Sequence, residues 1–356
     1  MSEVEVNFPV RKVENSRLDQ TDFEHLKFGK EFSDHMFYAE YLEGKWQSAE
    51  IKPYEPIPYS PAASVFHYGQ AIFEGLKAYK TNDGKVLLFR PEANRKRFEG
   101  SAERMCMPKV PREYFIEGIK ELIRTDINWV PDNEDQSLYI RPFMIATESF
   151  LGVKPSDHYQ FMIITSPTSA YYSGAVKVKI ETEYTRAAEG GIGAAKAAAN
   201  YAASLLPAQI AKKQGYDQLI WTDSKTHQYI EESGTMNLMM IKDQTLITPP
   251  LKSLTILPGI TRDSILKLAD HWGMQVEERR ILVDELVEGL KENAIEELFG
   301  VGTAATIAPI AQVGHQGTNY ELTDSSGWEF ANRAKSYLEK LKRGEIDDQF
   351  GWTMEV

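Results

Sequence analysis

The sequence predicts an α+β protein of two domains, and three observations predict it. The chain has 356 residues, more than one domain usually needs. Apolar residues switch between strand and helix spacing along its length. A small, polar, turn-rich stretch, Thr165-Ser166-Pro167-Thr168-Ser169-Ala170-Tyr171-Tyr172-Ser173-Gly174, interrupts that alternation near the middle. It sets the expected boundary, with domains at 1–170 and 171–356.

The elements follow in order. Extended stretches at 36–42 and 46–51 flank Glu43-Gly44-Lys45, and stretches at 76–80 and 86–89 flank Asn82-Asp83-Gly84, which reads as two hairpins. After Pro91, the residues Ala93, Phe98, Ala102 and Met105 recur at helical spacing, and a second amphipathic helix spans 112–127. Apolar strands follow at 138–145 and 159–164. In the second half, Val176, Val178 and Ile180 alternate with Lys177, Lys179 and Glu181 as one half-exposed strand. A helix over 200–214 contains Pro207 and stops at Gly215. Strands are expected at 218–222, 229–231, 236–241, 275–281 and 295–300, with helices at 262–272, 284–290 and 328–341.

Composition narrows the function. With 42% hydrophobic and 26% charged residues the chain is of ordinary globular type. A net charge of -12 without a long Lys/Arg run argues against nucleic-acid or anionic-membrane partners. No apolar run approaches the ~18 residues that cross a bilayer, and the first residues lack a signal-peptide pattern, so a soluble, cytoplasmic protein is expected. The one cysteine, Cys106, lies between Met105 and Met107 and reads as a small core residue. The seven histidines form no His-x-x-x-His pair, so no metal is expected. There is neither a nucleophile elbow nor a Walker loop.

The most telling residue is Lys196, in Gly190-Gly191-Ile192-Gly193-Ala194-Ala195-Lys196-Ala197-Ala198-Ala199-Asn200-Tyr201. Glycine and alanine leave room for another molecule's atoms beside the amine, which suits a lysine forming a Schiff base. An ordinary solvated lysine at a helix start is the alternative. Leu257-Pro258-Gly259-Ile260-Thr261-Arg262 runs into a helix whose first turn either binds a phosphate or is a plain cap. Glu231 and Glu232 precede an apolar strand. One acid aimed inward can keep a pyridine nitrogen protonated, and two surface acids at a turn are the alternative. Phe299-Gly300-Val301-Gly302-Thr303-Ala304-Ala305 imitates a dinucleotide fingerprint, but Pro309 arrives too soon for the helix such a fingerprint opens. A turn offering backbone N–H groups and Thr303 to a ligand is the better account. Arg141 lies in an apolar strand and must pair with something, a phosphate or carboxylate of a ligand or, as the alternative, an acid of the chain. Arg97 lies between Lys96 and Phe98 on the first helix, where a solvated face is the alternative.

Taken together, these motifs resemble the branched-chain amino-acid aminotransferases, class IV of the pyridoxal-phosphate transaminases, in their longer, animal-like type. The resemblance rests on His67-Tyr68, Phe73-Glu74-Gly75, Leu88-Phe89-Arg90-Pro91, Tyr139-Ile140-Arg141-Pro142, Lys196 with Asn200-Tyr201, Glu232 with Gly234-Thr235-Met236-Asn237, Leu257-Pro258-Gly259 and Gly302-Thr303-Ala304. It implies a small open α/β domain, a larger pseudo-barrel α/β domain, and a homodimer. It makes Lys196 the Schiff-base lysine and general base. Arg97, Ile260, Thr261 and Thr303 would hold the cofactor phosphate, Glu232 the pyridine nitrogen and Tyr201 the ring hydroxyl, with Thr235 also at the cofactor. Phe32, Tyr68, Phe73, Tyr139, Tyr171, Thr235 and Ala304 would line the substrate pocket, with Arg141 near the second carboxylate of glutamate. The implied reaction moves the amino group of leucine, isoleucine or valine to 2-oxoglutarate on pyridoxal 5'-phosphate. The animal Cys-x-x-Cys is replaced by Ala305-Thr306-Ile307-Ala308, so thiol redox control is absent there. D-amino-acid transaminases, an aminodeoxychorismate lyase, and a binding protein without turnover are the rivals on the same scaffold.

Overall fold

In the computed structural model, which describes residues 7–169 and 174–356, the first hairpin closes at its expected turn. Glu43 and Gly44 both adopt left-handed backbone, φ 52° and 79°, as two-residue hairpin turns require. They join β1 (His35–Leu42) to β2 (Lys45–Trp46). The return strand is not continuous to residue 51. Its register shifts by one residue between Tyr41↔Trp46 and Tyr38↔Glu50, so a bulge separates β2 from β3 (Glu50–Pro53). Two elements too short to show a period follow, α1 (Ser64–Tyr68) and β4 (Ala71–Phe73). The second hairpin, β5 (Leu76–Lys80) and β6 (Val86–Phe89), turns on Gly84 at φ 83°.

α2 (Pro91–Arg104) starts on proline, whose missing N–H costs nothing at a first turn, and α3 (Arg112–Thr125) follows. Cys106 lies just past α2 and is exposed at φ 52°, not in the core as its methionine neighbours suggest. The long pair β7 (Ser137–Ala146) and β8 (Tyr159–Thr168) completes this part. β8 runs through Thr165-Ser166-Pro167-Thr168, which composition assigns to a connection. Pairing of β8 with β1 ends at Phe37↔Ile163, so Pro167 has a strand on one side only and needs no N–H on the other.

These strands form one sheet in the order β6-β5-β7-β8-β1-β2, with β3 beside β1 and β4 beside β7. Phe98 of α2 and Phe115 of α3 meet Phe161 of β8 with ring centroids 5.6 and 6.1 Å away, and all three are buried. Each such ring contributes about 1.5–3 kcal/mol by leaving water, which fixes α2, and with it Arg97, against the sheet. Gly118 lets α3 approach closely, since a Cβ there would lie 2.8 Å from the Phe37 ring.

The second half opens with β9 (Val176–Ile180), whose valines and isoleucine are buried while Lys177 is exposed. It continues through α4 (Ala198–Lys213), β10 (Gln218–Thr222), β11 (Ile230–Ser233), β12 (Met236–Lys242) and β13 (Thr245–Thr248). Next come α5 (Ile260–His271), β14 (Gln275–Glu278), α6 (Val283–Lys291), β15 (Ile295–Gly302), β16 (Thr306–His315), β17 (Thr318–Glu321) and α7 (Phe330–Lys342). The strands run β11-β10-β9-β16-β15-β12-β13-β14, with β17 beside β16. β11 also pairs with β12, so six strands close on themselves as a barrel. Val178, Leu238, Leu286, Leu298 and Ile310 belong to its apolar cluster. The Gly-x-Gly-x-x-Ala stretch ends β15 and turns into β16 with no helix.

β18 (Thr353–Glu355) returns to β6. The chain divides into two compact units, Met1–Tyr171 with Ala195–Ala199 and Lys340–Val356, and Tyr172–Ala194 with Asn200–Glu339. Among the described residues no helix is long and apolar enough to cross a membrane, and no cluster of three or more His, Cys, Asp or Glu could hold a metal.

Candidate active site

In the first unit, the site is built on the end of β4. Phe73 N–H donates to the Lys196 carbonyl at 3.0 Å, Ser101 Oγ accepts the Lys196 N–H at 2.9 Å, and Ile72 bridges to Ala197. Two backbone hydrogen bonds, the first part of the Ile72–Ala197 bridge, therefore hold the lysine in place, and it is partly buried. Its ammonium lies 5.1 Å from the centre of the Phe73 ring. Burial, with the Arg97 cation adding to it, lowers the amine's pKa from 10.5 to about 8, despite the opposing charge of Glu74. A solvated lysine is ruled out.

Glu74 follows Phe73 and is fully buried. Arg97 grips both its oxygens, Nε to Oε1 at 2.7 Å and Nη2 to Oε2 at 2.8 Å. Asn94 adds Nδ2 to Oε2 at 2.8 Å, and Gly75 N–H reaches the same oxygen at 3.2 Å. Burial pushes the Glu74 carboxyl up, yet Arg97 and Lys196 outweigh it and hold the pKa below its ordinary value. Arg97 is thus buried and paired, not a solvated helix face. Glu74 has no role that its neighbours in the sequence reveal. A glutamate directly before a glycine and near no visible cation carries no signal of its own.

Arg141 of β7 donates Nη2–H to Tyr139 Oη at 2.8 Å and lies 4.6 Å over the Phe73 ring. Among the described residues no carboxylate pairs with it, and its Nε has no partner. Gly75 must lack a side chain here, because a Cβ would lie 2.1 Å from Tyr139 Oη. Tyr139 is nearly buried and meets Phe28 edge to face at 4.8 Å. Phe32 stacks instead on Tyr54 at 4.9 Å. Tyr68 is exposed and donates its hydroxyl to the Leu151 carbonyl. Tyr171 lies outside the described residues.

In the second unit, Asn237 is the organising residue. It donates Nδ2–H to Glu232 Oε1 at 3.2 Å and to the Leu257 carbonyl at 2.9 Å, while the Leu257 N–H also reaches Glu232 Oε1, at 3.0 Å. Arg186 Nε stands 2.6 Å from Glu232 Oε2. A Cβ on Gly259 would fall 2.0 Å from Asn237 Oδ1, so this glycine lets the start of α5 close on Asn237. Ile260 and Thr261, the first residues of α5, are buried. Thr303 and Ala304 are partly buried in the turn between β15 and β16, and Thr235 is exposed where β11 turns into β12. Tyr201 is partly buried on the first turn of α4.

Neither acid before β12 is a surface group. Glu232 is buried with two hydrogen-bond donors and the Arg186 cation around it, and Glu231 is buried against Thr255 Oγ1. Burial raises the Glu231 pKa to about 7, the hydrogen bond from Thr255 only partly offsetting it. Among the described residues Glu231 Oε2 has no partner.

In the first unit a partly buried amine of lowered pKa stands close to two arginines, and in the second a buried carboxylate stands beside a helix start; each is of the kind found where charge is put to chemical use. The profile of class IV aminotransferases matches residues 71–313. Branched-chain-amino-acid aminotransferase 2 of Bacillus subtilis is 43% identical over 96% of this chain and 95% of its own length. The Mycolicibacterium smegmatis branched-chain-amino-acid aminotransferase is 45% identical over 91% and 90%. Among solved structures, the Escherichia coli branched-chain amino acid aminotransferase superposes with a TM-score of 0.72 at 28% identity, covering 90% of this chain and 98% of that one. The T.th. branched-chain amino acid aminotransferase complexed with N-(5'-phosphopyridoxyl)-L-glutamate gives 0.71 at 25% identity, over 89% and 97%. The chain belongs to the branched-chain-amino-acid aminotransferases of class IV.

Proposed function

We propose that this chain moves the amino group of L-leucine, L-isoleucine or L-valine to 2-oxoglutarate, and back, with pyridoxal 5'-phosphate as its cofactor. The observation that carries the reading is Lys196, an amine pinned by two backbone hydrogen bonds and lowered to a pKa of about 8. Roughly a tenth of it is unprotonated at pH 7, against ~0.03% of an ordinary lysine. The remaining donors fit the same group. Arg97, Thr261, Thr303 and the start of α5 at Ile260 suit its phosphate, Glu232 its pyridine nitrogen and Tyr201 its ring hydroxyl, with Thr235 alongside. The relative crystallised with a phosphopyridoxyl-glutamate adduct supports both the cofactor and glutamate as one substrate.

When bound, the cofactor accepts the electron pair left on the substrate's α-carbon. The chain's residues do the rest. Lys196 would be the residue that tethers the cofactor and, when free of it, the base that takes and returns the substrate's α-proton. Glu232, held by the Arg186 ion pair and by hydrogen bonds from Asn237 and the Leu257 N–H, is fixed in one orientation and would be the residue that keeps the ring nitrogen protonated. Arg141, with its Nε unsatisfied among the described residues, meets the side-chain carboxylate of glutamate. In the first unit Phe32, Tyr68, Phe73 and Tyr139 are the aromatic residues this reading assigns to the substrate, and Phe28 joins them through its contact with Tyr139; Ala304 and Tyr171 are assigned by the family resemblance alone. One methylene is worth ~1–3 kcal/mol in such a pocket, so the three branched substrates are accepted together.

A second copy of the chain is the partner this reading expects. Phe150, Leu151 and Val153 are exposed, Val153 to 88%, beside Tyr68, and such patches are usually covered. The single cysteine fits a cytoplasmic setting. Steady-state assays with 2-oxoglutarate and a panel of L- and D-amino acids test the proposal. The expected result is turnover of L-leucine, L-isoleucine and L-valine with kcat/KM values within ~200-fold of one another. Preference for D-alanine over all three would overturn it.

A further inference from the structure

Glu74 stands out because the polar contacts around its carboxylate are all donors. Arg97 Nε faces Oε1, while Arg97 Nη2, Asn94 Nδ2 and Gly75 N–H face Oε2. The cage therefore accepts a carboxylate and rejects an amide, whose NH2 would meet a donor in either orientation. Burying a charge this deeply is costly unless it serves as a fixed counter-charge, and an arginine needed only for packing would not require it. The placement is also specific. Phe73, one residue earlier, bonds the Lys196 carbonyl, and the Glu74 N–H donates to Pro142 O at 2.7 Å, next to Arg141. Three cationic side chains, Arg97, Lys196 and Arg141, thus converge on one short strand end, where the Glu74 carboxylate opposes the effect of both arginines on Lys196.

We propose that Glu74 is a positioning residue for the transamination: its buried carboxylate aims Arg97 by binding two of its nitrogens and balances the cations beside Lys196. Two functions follow from one group. Holding the Nε–Nη2 edge of Arg97 fixes the plane of the guanidinium, so that its orientation toward a phosphate is set before the cofactor arrives. The negative charge keeps Lys196 from losing its proton too readily, because without it the two guanidinium groups would act on the amine far less opposed. The mutual influence of Glu74 and Lys196 on each other's protonation agrees with this placement.

The inference rests on Lys196 and Arg97 having the roles proposed above, and the experiment separates the two. The apoprotein is reductively methylated with formaldehyde and a borohydride reagent across a pH series, and modification of Lys196 is followed by peptide mass mapping. In Glu74→Gln the midpoint for Lys196 should fall by about 1 unit or more relative to the unmodified chain. In Glu74→Asp, which keeps the charge on a shorter stem, the midpoint should stay within a few tenths of a unit, while the weaker grip on Arg97 lowers pyridoxal-phosphate affinity roughly tenfold. An unchanged or higher midpoint in folded Glu74→Gln overturns the proposal. If that variant does not fold, Glu74→Asp decides, because wild-type cofactor affinity in it contradicts the aiming of Arg97. Failure of the underlying reading looks different, since the unmodified chain would then not bind pyridoxal phosphate at all.

Discussion

Lys196 and Glu231 show how burial turns a side chain's charge into a measurable quantity. Lys196→Ala removes the one amine that the chain itself supplies to the proposed chemistry. It should lower transamination by at least ~10³-fold, in the range lost with other covalent or general-base groups, while the far-ultraviolet circular dichroism stays that of the parent. Turnover above a hundredth of the parent's would refute the assigned role. Glu231 carries no assigned function and its pKa is raised from 4.5 to about 7. A raised carboxyl contributes stability that is full below the unfolded pKa and is lost as pH climbs through the folded one, here between about 4.5 and 7. Glu231→Gln should therefore be more stable than the parent by ~1–3 kcal/mol at pH 8 and gain nothing at pH 4. Urea midpoints at the two pH values decide it. At this scale the sequence was readable where a residue's neighbours are unusual, as around Lys196. It was silent where the meaning comes from across the chain, because Glu74 gains its partner Arg97 from a helix 23 residues later.

Among the elements, hairpins and long helices were legible from turn residues and spacing. Gly84 marks the second hairpin, and Phe98 and Ala102 mark α2, because each needs only local information. The misreadings have physical causes as well. β8 keeps a proline and three hydroxyl residues because it borders a single strand there, and the bulge after β2 depends on register with β1 that no local pattern encodes. β4 and α1, with three and five residues, are too short for a period, yet β4 carries Phe73. The start of α5 offers a test of element placement. Gly259→Ala puts a Cβ 2.0 Å from Asn237 Oδ1 as the backbone stands, and relief of such a clash typically costs ~1–3 kcal/mol. The side chain of Asn237 must then leave Glu232 or the helix must retreat. Either way pyridoxal-phosphate affinity should fall roughly tenfold or more, as an equilibrium titration would show; undiminished affinity would mean that α5 does not help to hold the cofactor.

For the whole molecule, each unit supports its own part of the proposed chemistry on its own core: a nine-stranded sheet in the first, a nine-stranded sheet with a six-strand closed ring in the second. The two-domain α+β class was legible from length and alternation. Closure of the ring was legible only through the family resemblance, which implied a pseudo-barrel; spacing could not give it, because the ring needs β9 between β10 and β16, strands from distant parts of the chain. The proposed dimer belongs to this scale too. Val153→Asp places a charge on the most exposed large apolar side chain among the described residues and should shift sedimentation from dimer toward monomer without unfolding the chain. An unaltered dimer would place the interface elsewhere. The central claim is that one lysine bears the cofactor. Reduction of the pyridoxal-phosphate-loaded protein with borohydride, followed by peptide mass mapping, should put the pyridoxyl group on Lys196 alone, and an adduct on any other lysine, or none, would contradict it.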